Sequence, residues 1–389
     1  MAGEHEVSVE RAREIARALA PRTGVEEVPV PEAAGRVLAA AVRAARDLPA
    51  ADVSAMDGWA VRAADTPGVL RAVGESAAGV PRSAGLAAGE TVAISTGATL
   101  PPGADAVARR EVTGAAGASV IVHEAVAPWR DVRRRGELIR ADGVLLAAGH
   151  RVAPHEVGAL GAAGHAAVAC ARRARVAVLA TGAELVPLGA AAGPAEVHDS
   201  SRHGVAAQLV AAGARIVAAD TVGDELDATV AALARMLDGG ADLVVTCGGV
   251  SGGPHDHVRP ALARLRVAEV MRGVRATPIR PTWLGRRGDL VVLGLSGNPA
   301  SAAVALHLLG RPLVGGPDDW WRHAPLAAAV AGHPDRAELV RCAERPEGLV
   351  PMAHQGAHAI TSLTGATALA LVPPGGAAAG VPVAFSRMD

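Results

Sequence analysis

Apolar and polar positions change their period twice along the chain. Ser8 to Ala20 reads as a helix, with Ser8 placed as its N-cap and Pro21 closing it. Ala44 to Asp65 reads as a loop carrying Asp52-Val53-Ser54-Ala55-Met56-Asp57-Gly58-Trp59-Ala60. From Arg71 to about Val126, short β-type runs alternate with Gly and Pro turns and helical periodicity is absent, which predicts a small all-β module. Arg133-Arg134-Arg135-Gly136-Glu137 leads into more short strands and turns, ending near Ala171.

At Arg175 the texture becomes that of a wound sheet. Val176 to Ala180 is a continuous apolar strand broken by Thr181-Gly182, and a helix follows from about Ser201 to Ala212. Arg215 to Ala219 reads as a strand, Asp224 to Leu237 as a helix, and Leu243 to Thr246 as a buried strand ending in Cys247-Gly248-Gly249-Val250-Ser251-Gly252-Gly253. A helix then reaches about Arg264, and the strand Leu290 to Leu293 feeds a helix from about Pro299 to Leu309. Such alternation predicts an α/β multidomain protein whose central domain is a doubly wound parallel sheet, with ligands outside the carboxyl ends of its strands. Beyond Gly315-Gly316-Pro317 short strands return. The predicted division is an elongated mixed α/β domain (1–45 and 137–173), a small β domain (46–136), the central α/β domain (174–316) and a C-terminal β domain (317–389).

Composition narrows the function. A net charge of −1, with 38 cationic against 39 acidic side chains, argues against the clustered basic surface of a nucleic-acid binder. No apolar run is long enough to span a bilayer, Met1 to Glu10 is too polar for a secretory signal, and Cys170, Cys247 and Cys342 form no disulfide or zinc pattern. A cytoplasmic protein is expected. The chain has no lysine and a single asparagine, Asn298, as a strongly G+C-biased genome would produce.

Asn298 sits in Gly294-Leu295-Ser296-Gly297-Asn298-Pro299-Ala300-Ser301, where a strand turns into a helix and exposes backbone N–H groups to an anion. An ordinary turn would use the same residues. Glu184, Asp224 and Asp256 lie at or near strand ends beside turns rich in glycine. Carboxylates next to a phosphate site repel the ligand unless a divalent cation bridges them, and hard oxygen donors favour Mg²⁺. Asp224 as a plain helix N-cap is the competing assignment.

Taken in order, Ser54 to Ala60, Ser95-Thr96-Gly97-Ala98, Gly103 to Val107, Arg133 to Glu137, Thr181-Gly182-x-Glu184-Leu185, Gly248 to Ser251 and Gly294 to Ser301 resemble the molybdopterin molybdenumtransferase family, which includes MoeA and the gephyrin E domain. The resemblance implies a four-domain homodimer, built on a molybdopterin-binding α/β domain, that inserts molybdenum from molybdate into adenylylated molybdopterin. Mg²⁺-assisted cleavage releases AMP. Molybdopterin adenylyltransferase and apo-molybdoenzymes are the implied partners. Carried over, Asp57, Thr96, Glu184, Asp224, Asp256 and Arg280 form the catalytic set, and the three acids Glu184, Asp224 and Asp256 the metal wall. Thr181, Gly182, Gly248, Gly249, Ser251, Ser296, Gly297, Asn298, Pro299 and Ser301 hold pterin and phosphates, with Arg134 and Arg135 reaching phosphate across the dimer interface or serving as surface ion-pair partners. Arg341 and Ser362 match positions near basic and hydroxyl residues that family members place toward molybdate, with a structural role as the competing assignment.

The chain departs from the family at Leu138, Ala183, Ser296, Arg259 and Thr277. Arginine for lysine keeps the charge. Thr277, by contrast, removes a cation whose loss at about 4 Å and an effective dielectric of about 20 weakens an oxyanion by about 4 kcal/mol. Arg275, two residues away on an extended segment, is the expected substitute, forming the molybdate clamp with Arg280. A catalytically weakened paralogue that carries or scaffolds molybdopterin is the alternative. The related adenylyltransferase activity ranks last, because Gly248-Gly249-Val250-Ser251 matches the transferase turn.

Overall fold

The computed structural model describes residues 3–250, 253, 256–316 and 321–388. It divides into two compact units, residues 1–24 with 172–389, and residues 25–171.

The first unit is built on a seven-stranded sheet. Its strands are β1 (Glu4–Val7), β2 (Arg175–Thr181), β3 (Arg215–Val222), β4 (Leu243–Cys247), β5 (Ala268–Val274), β6 (Trp283–Arg287) and β7 (Leu290–Leu295). The spatial order is β1-β5-β6-β7-β4-β2-β3. The helices that cover it include α1 (Val9–Leu19), α2 (Ser200–Ala211), α3 (Leu226–Asp238), α4 (Val258–Arg264) and α5 (Pro299–Ala305), the last running on through a π-helical turn, Leu306–Gly310.

Continuous apolar strands arise because both faces are covered. Along β2, Val176, Val178 and Ala180 join one core with Ile15 of α1, Leu209 of α2 and Val304 of α5. Ala177 and Leu179, on the opposite face, join Leu233 of α3 and Leu262 of α4 in the other. The period of two places successive residues on opposite faces, so a strand buried on both sides carries no polar position.

Three features differ from expectation. First, the sheet is mixed: β6 runs antiparallel to both β5 and β7, while the other neighbouring strands are parallel. Arg287 pairs with Leu290 across the two-residue turn Gly288-Asp289, and the Gly inside Trp283-Leu284-Gly285 hides the strand signal. Second, residues 1–24 belong with the central domain rather than with the elongated one, because β1 adds beside β5 and α1 packs into the sheet's core. Ser8 caps α1 as predicted, its Oγ accepting from Arg11 N at 3.2 Å. Third, residues 44–65 are not all loop, as the second unit shows.

A second sheet in the first unit follows the strand pair Ala276–Thr277 and Ala337–Arg345, continuing through Ala368–Val372 and Pro382–Arg387 to Arg322–Pro325. It is the C-terminal β module, cored by Val340, Leu349 and Phe385.

The second unit holds a six-stranded sheet in the order Ala106–Arg109, Gly58–Val61, Glu90–Ile94, Gly68–Ser76, Ser119–Val122 and Thr113–Ala116. A smaller part pairs Val25–Pro29 with Ala167–Ala171 over the core of Leu38, Leu160 and Val168. Gly58–Val61, expected as loop, is thus an interior strand. Its glycine conceals it: a Cβ at Gly58 would lie 2.1 Å from the Ala108 carbonyl oxygen, so the strands approach too closely for any side chain. Gly58→Ala is therefore expected to destabilise this unit by about 1–3 kcal/mol, the usual cost of overpacking. Chemical denaturation followed by tryptophan fluorescence, to which Trp59 and Trp129 contribute from this unit, checks it.

Candidate functional site

The strands β2, β4 and β7 are neighbours in the first sheet, and all three end in turns of small residues. These turns touch. Gly248 has φ +100°, and a Cβ there would lie 2.7 Å from both the backbone oxygen and the Oγ1 of Thr181. A Cβ at Gly297 would come within 3.5 Å of the Gly248 Cα, and Gly248 N donates to Leu295 O at 3.0 Å. The predicted Thr181, Gly182, Gly248, Gly249, Ser296 and Gly297 are therefore brought together.

Asn298 caps α5 without a side-chain capping bond, and it is exposed. Pro299 follows at the first helical position, where no N–H is needed. Ser296 is buried, with its Oγ accepting from Asn298 N at 3.2 Å. Ser301 corrects a prediction: it is buried, its hydroxyl donates to Pro278 O at 2.6 Å, and its amide donates to Ala357 O. Ser301 ties α5 to two loops rather than facing a ligand. Ser251 lies outside the described residues.

The acidic residues separate. Asp224 does not cap α3; its Oδ2 accepts from Ala183 N at 3.2 Å, which joins it to the turn bearing Glu184. Asp256 accepts from Gly253 N at 2.5 Å and lines a cavity of about 450 Å³ with Arg259, Glu269 and Trp283. Among the described residues no three His, Cys, Asp or Glu side chains are grouped to hold a metal ion, so the expected wall of three carboxylates is not assembled. The remaining donors still suit Mg²⁺, which takes one or two protein carboxylates and completes its shell with substrate phosphates and water. Cys247, at the end of β4, is no nucleophile: burial pushes its thiol up to about 12.

The arginines also regroup. Arg280 lines a cleft of about 600 Å³ beside Val250, together with Arg259 and Arg272. Arg275 opens instead into a separate cavity of about 420 Å³, with Ser8, Glu10, Arg336 and Pro374. Arg275 and Arg280, expected together, therefore line different cavities, and Arg280 shares its cleft with Arg259 and with Arg272, which was not foreseen. Only its position on β5, fixed by an unpredicted strand, reveals it. Glu269 stands between the other two, 3.9 Å from Arg259 and 4.0 Å from Arg272.

Arg341 is fully buried, its Nε donating to Ser362 Oγ at 3.0 Å and its Nη2 to Gly356 O at 3.1 Å. It braces the loop that Ser301 also binds, a structural duty.

In the second unit, Asp57 and Thr96, both expected in the catalytic set, are bonded to each other. Thr96 donates to Asp57 Oδ1 through its backbone N at 2.7 Å and its hydroxyl at 3.1 Å. Those two bonds, the amide first, hold the Asp57 carboxyl below the usual carboxylate range. Arg135 is paired with Asp47 at 2.6 Å, while Arg134 stacks 4.3 Å from the Trp129 ring. Leu138 is 76% exposed.

Three family models match successive parts of the chain: the MoeA N-terminal region (domains I and II) over residues 7–164, the probable molybdopterin binding domain over 177–316, and the MoeA C-terminal region (domain IV) over 323–386. The chain is 34% identical over 329 residues to molybdopterin molybdenumtransferase 2 of Mycobacterium tuberculosis, covering 80% of this chain and 79% of that one. It is 32% identical over 315 residues to the molybdopterin molybdenumtransferase of Haemophilus influenzae, covering 79% and 77%. A solved molybdopterin biosynthesis MoeA protein from Pyrococcus horikosii is similar over 99% of both chains, with a TM-score of 0.85 and 26% identity. No helix among the described residues is long and apolar enough to cross a membrane. The chain belongs to the molybdopterin molybdenumtransferase (MoeA) family, and its role is in molybdenum cofactor biosynthesis.

Proposed function

We propose that this protein transfers molybdenum from molybdate to adenylylated molybdopterin with release of AMP, and that Mg²⁺ assists. The observation that carries this is the cleft of Arg259, Arg272 and Arg280 beside Val250, directly after the Gly248-Gly249 turn. A doubly charged tetrahedral oxyanion needs several fixed cations, and guanidinium forks supply paired donors to its oxygens. The touching turns of β2, β4 and β7, with the free Asn298 amide, offer N–H groups and a polar edge for the pterin and phosphates.

Glu184 and Asp224 would hold the metal, from turns joined through Ala183 N. When bound, Mg²⁺ draws charge from the phosphoanhydride oxygens and stabilises the departing AMP. Asp57, kept ionised by Thr96, supplies the fixed negative group of the second unit. The assignment further includes a homodimer that receives its substrate from molybdopterin adenylyltransferase and passes its product to apo-molybdoenzymes. A carrier that binds without turnover is the second reading, favoured by the dispersal of the acids.

Purified protein given adenylylated molybdopterin, molybdate and Mg²⁺ should release AMP and reconstitute an apo-molybdoenzyme. Binding of the adenylylated pterin with no AMP above background would select the carrier. Within the active enzyme, Glu184→Gln and Asp224→Asn should each raise the Mg²⁺ concentration needed for half-maximal AMP release by about tenfold or more, as loss of one charged ligand implies. Unchanged metal dependence in both would remove these two carboxylates from the metal site. Arg280→Ala should weaken molybdate binding by about ten- to a hundredfold, the worth of a hydrogen bond to a charged group. Arg275→Ala should leave it unaltered. Calorimetric titration of molybdate into the two variants decides between the observed cleft and the Arg275 clamp.

A further inference from the structure

The arginine cleft also holds an acid that the transfer reaction does not call for. Arg280 Nε lies 3.2 Å from Glu6 Oε1 and donates also to Oε2 at 3.5 Å. Glu6 belongs to β1, and in a regular strand adjacent side chains point to opposite faces. Here His5 and Glu6 line the same cavity.

The backbone explains why. Glu6 has φ +47°, in the left-handed region that a residue with a Cβ rarely occupies, and the β1–β5 register passes from His5 opposite Arg272 to Val7 opposite Val274, leaving Glu6 out. Opposite it, Gly273 has φ +87°, and a Cβ there would sit 3.1 Å from Glu6 Oε1 and 3.2 Å from its Cδ. The strand is broken at one residue, and a glycine is placed where it clears the turned side chain. Backbone strain kept at such a point calls for a function.

We propose that Glu6 is a tethered, displaceable carboxylate that occupies the oxyanion's place on Arg280 and sets how tightly the cleft takes its ligand. This rests on the reading of that cleft as the molybdate site. An oxyanion entering the cleft must take Arg280 from Glu6, so part of its binding free energy is spent breaking the internal pair. Both partners are about half exposed, 59% for the Arg280 side chain and 48% for Glu6, so the pair is weak enough to exchange. Arg272 and Arg259 stay held by His5 and Glu269 while this happens, Arg272 Nε lying 3.1 Å from His5 Nδ1. Glu6 is thus an affinity-setting residue: it raises the concentration at which the cleft fills by the same factor for molybdate and for sulfate, because each must displace the same internal pair.

The test is calorimetric titration of the full-length protein with molybdate, and with sulfate as a second oxyanion. Glu6→Gln should tighten molybdate binding by about two- to fivefold, the range expected for an exposed ion pair. Mere loosening of β1 would weaken binding, so a gain distinguishes the two effects. Glu6→Ala repeats the measurement should glutamine disturb the strand. Equal or weaker binding by the Glu6 variants, with Arg280→Ala clearly impaired, overturns the role of Glu6 and leaves the cleft assignment standing. An Arg280→Ala protein that binds like the parent overturns both.

Discussion

The contact on which the rest depends is the approach of the Gly248 backbone to Thr181. With φ +100° and no room for a Cβ within 2.7 Å of the Thr181 oxygens, the turn after β4 folds tightly over the end of β2. Gly297 closes against it from β7. Three neighbouring strand ends therefore meet with almost no side-chain volume between them. A side chain at the junction would splay the turns, and Asn298, Glu184 and Asp224 would lose their common edge. Parallel sheets present such ends by construction, since each strand must turn into a covering helix on the same side. What is particular here is the density of the closure.

Electrostatics builds on that frame through incomplete neutralisation. Arg259 and Arg272 share Glu269, which lines the neighbouring cavity, and Arg280 leans on Glu6, the one carboxylate among the described residues lining the cleft itself. Exposed ion pairs contribute little and exchange readily with solvent or ligand. The pairs orient the guanidinium groups without quenching them, and under the proposed function the residual positive charge is what draws an oxyanion in. The Asp57–Thr96 pair works in the other direction: two donors on one carboxylate oxygen stabilise the charged form, which leaves the second oxygen available.

How much of this the sequence carried depended on whether a local rule governed the residue. Strands β2, β4 and β7 were legible because burial on both faces removes every polar position from them. The Ser8 cap was legible because capping is local. Gly58–Val61 and β6 were not, since each owes its strand character to partners distant in sequence and contains a glycine demanded by a close neighbour. Among site residues, the bond between Asp57 and Thr96 came only with the structure, whereas the glycine turns followed from motifs. The grouping of Glu184, Asp224 and Asp256 did not, because Asp256 sits farther along its loop and faces the cavity of Arg259 and Trp283.

The misplacement of Arg275 shows where face alternation stops being valid. Arg275 N donates to Val7 O in the first sheet, whereas its carbonyl accepts from Ala337 N in the C-terminal sheet. It is the crossing point between two sheets, and side-chain direction is inherited along a strand only while that strand stays in one sheet. Arg272, three residues earlier and still inside β5, faces the cleft for that reason. A chain that has exchanged every lysine for arginine meets a further demand, because a planar fork works only where its orientation is fixed, unlike a point charge on a flexible stem. Glu269, His5 and Glu6 are the groups that fix it, and all three stand on β1 and β5, the strands that bring the N-terminal segment to the sheet's edge. The N-terminal strand is thus part of the arginine cleft's construction.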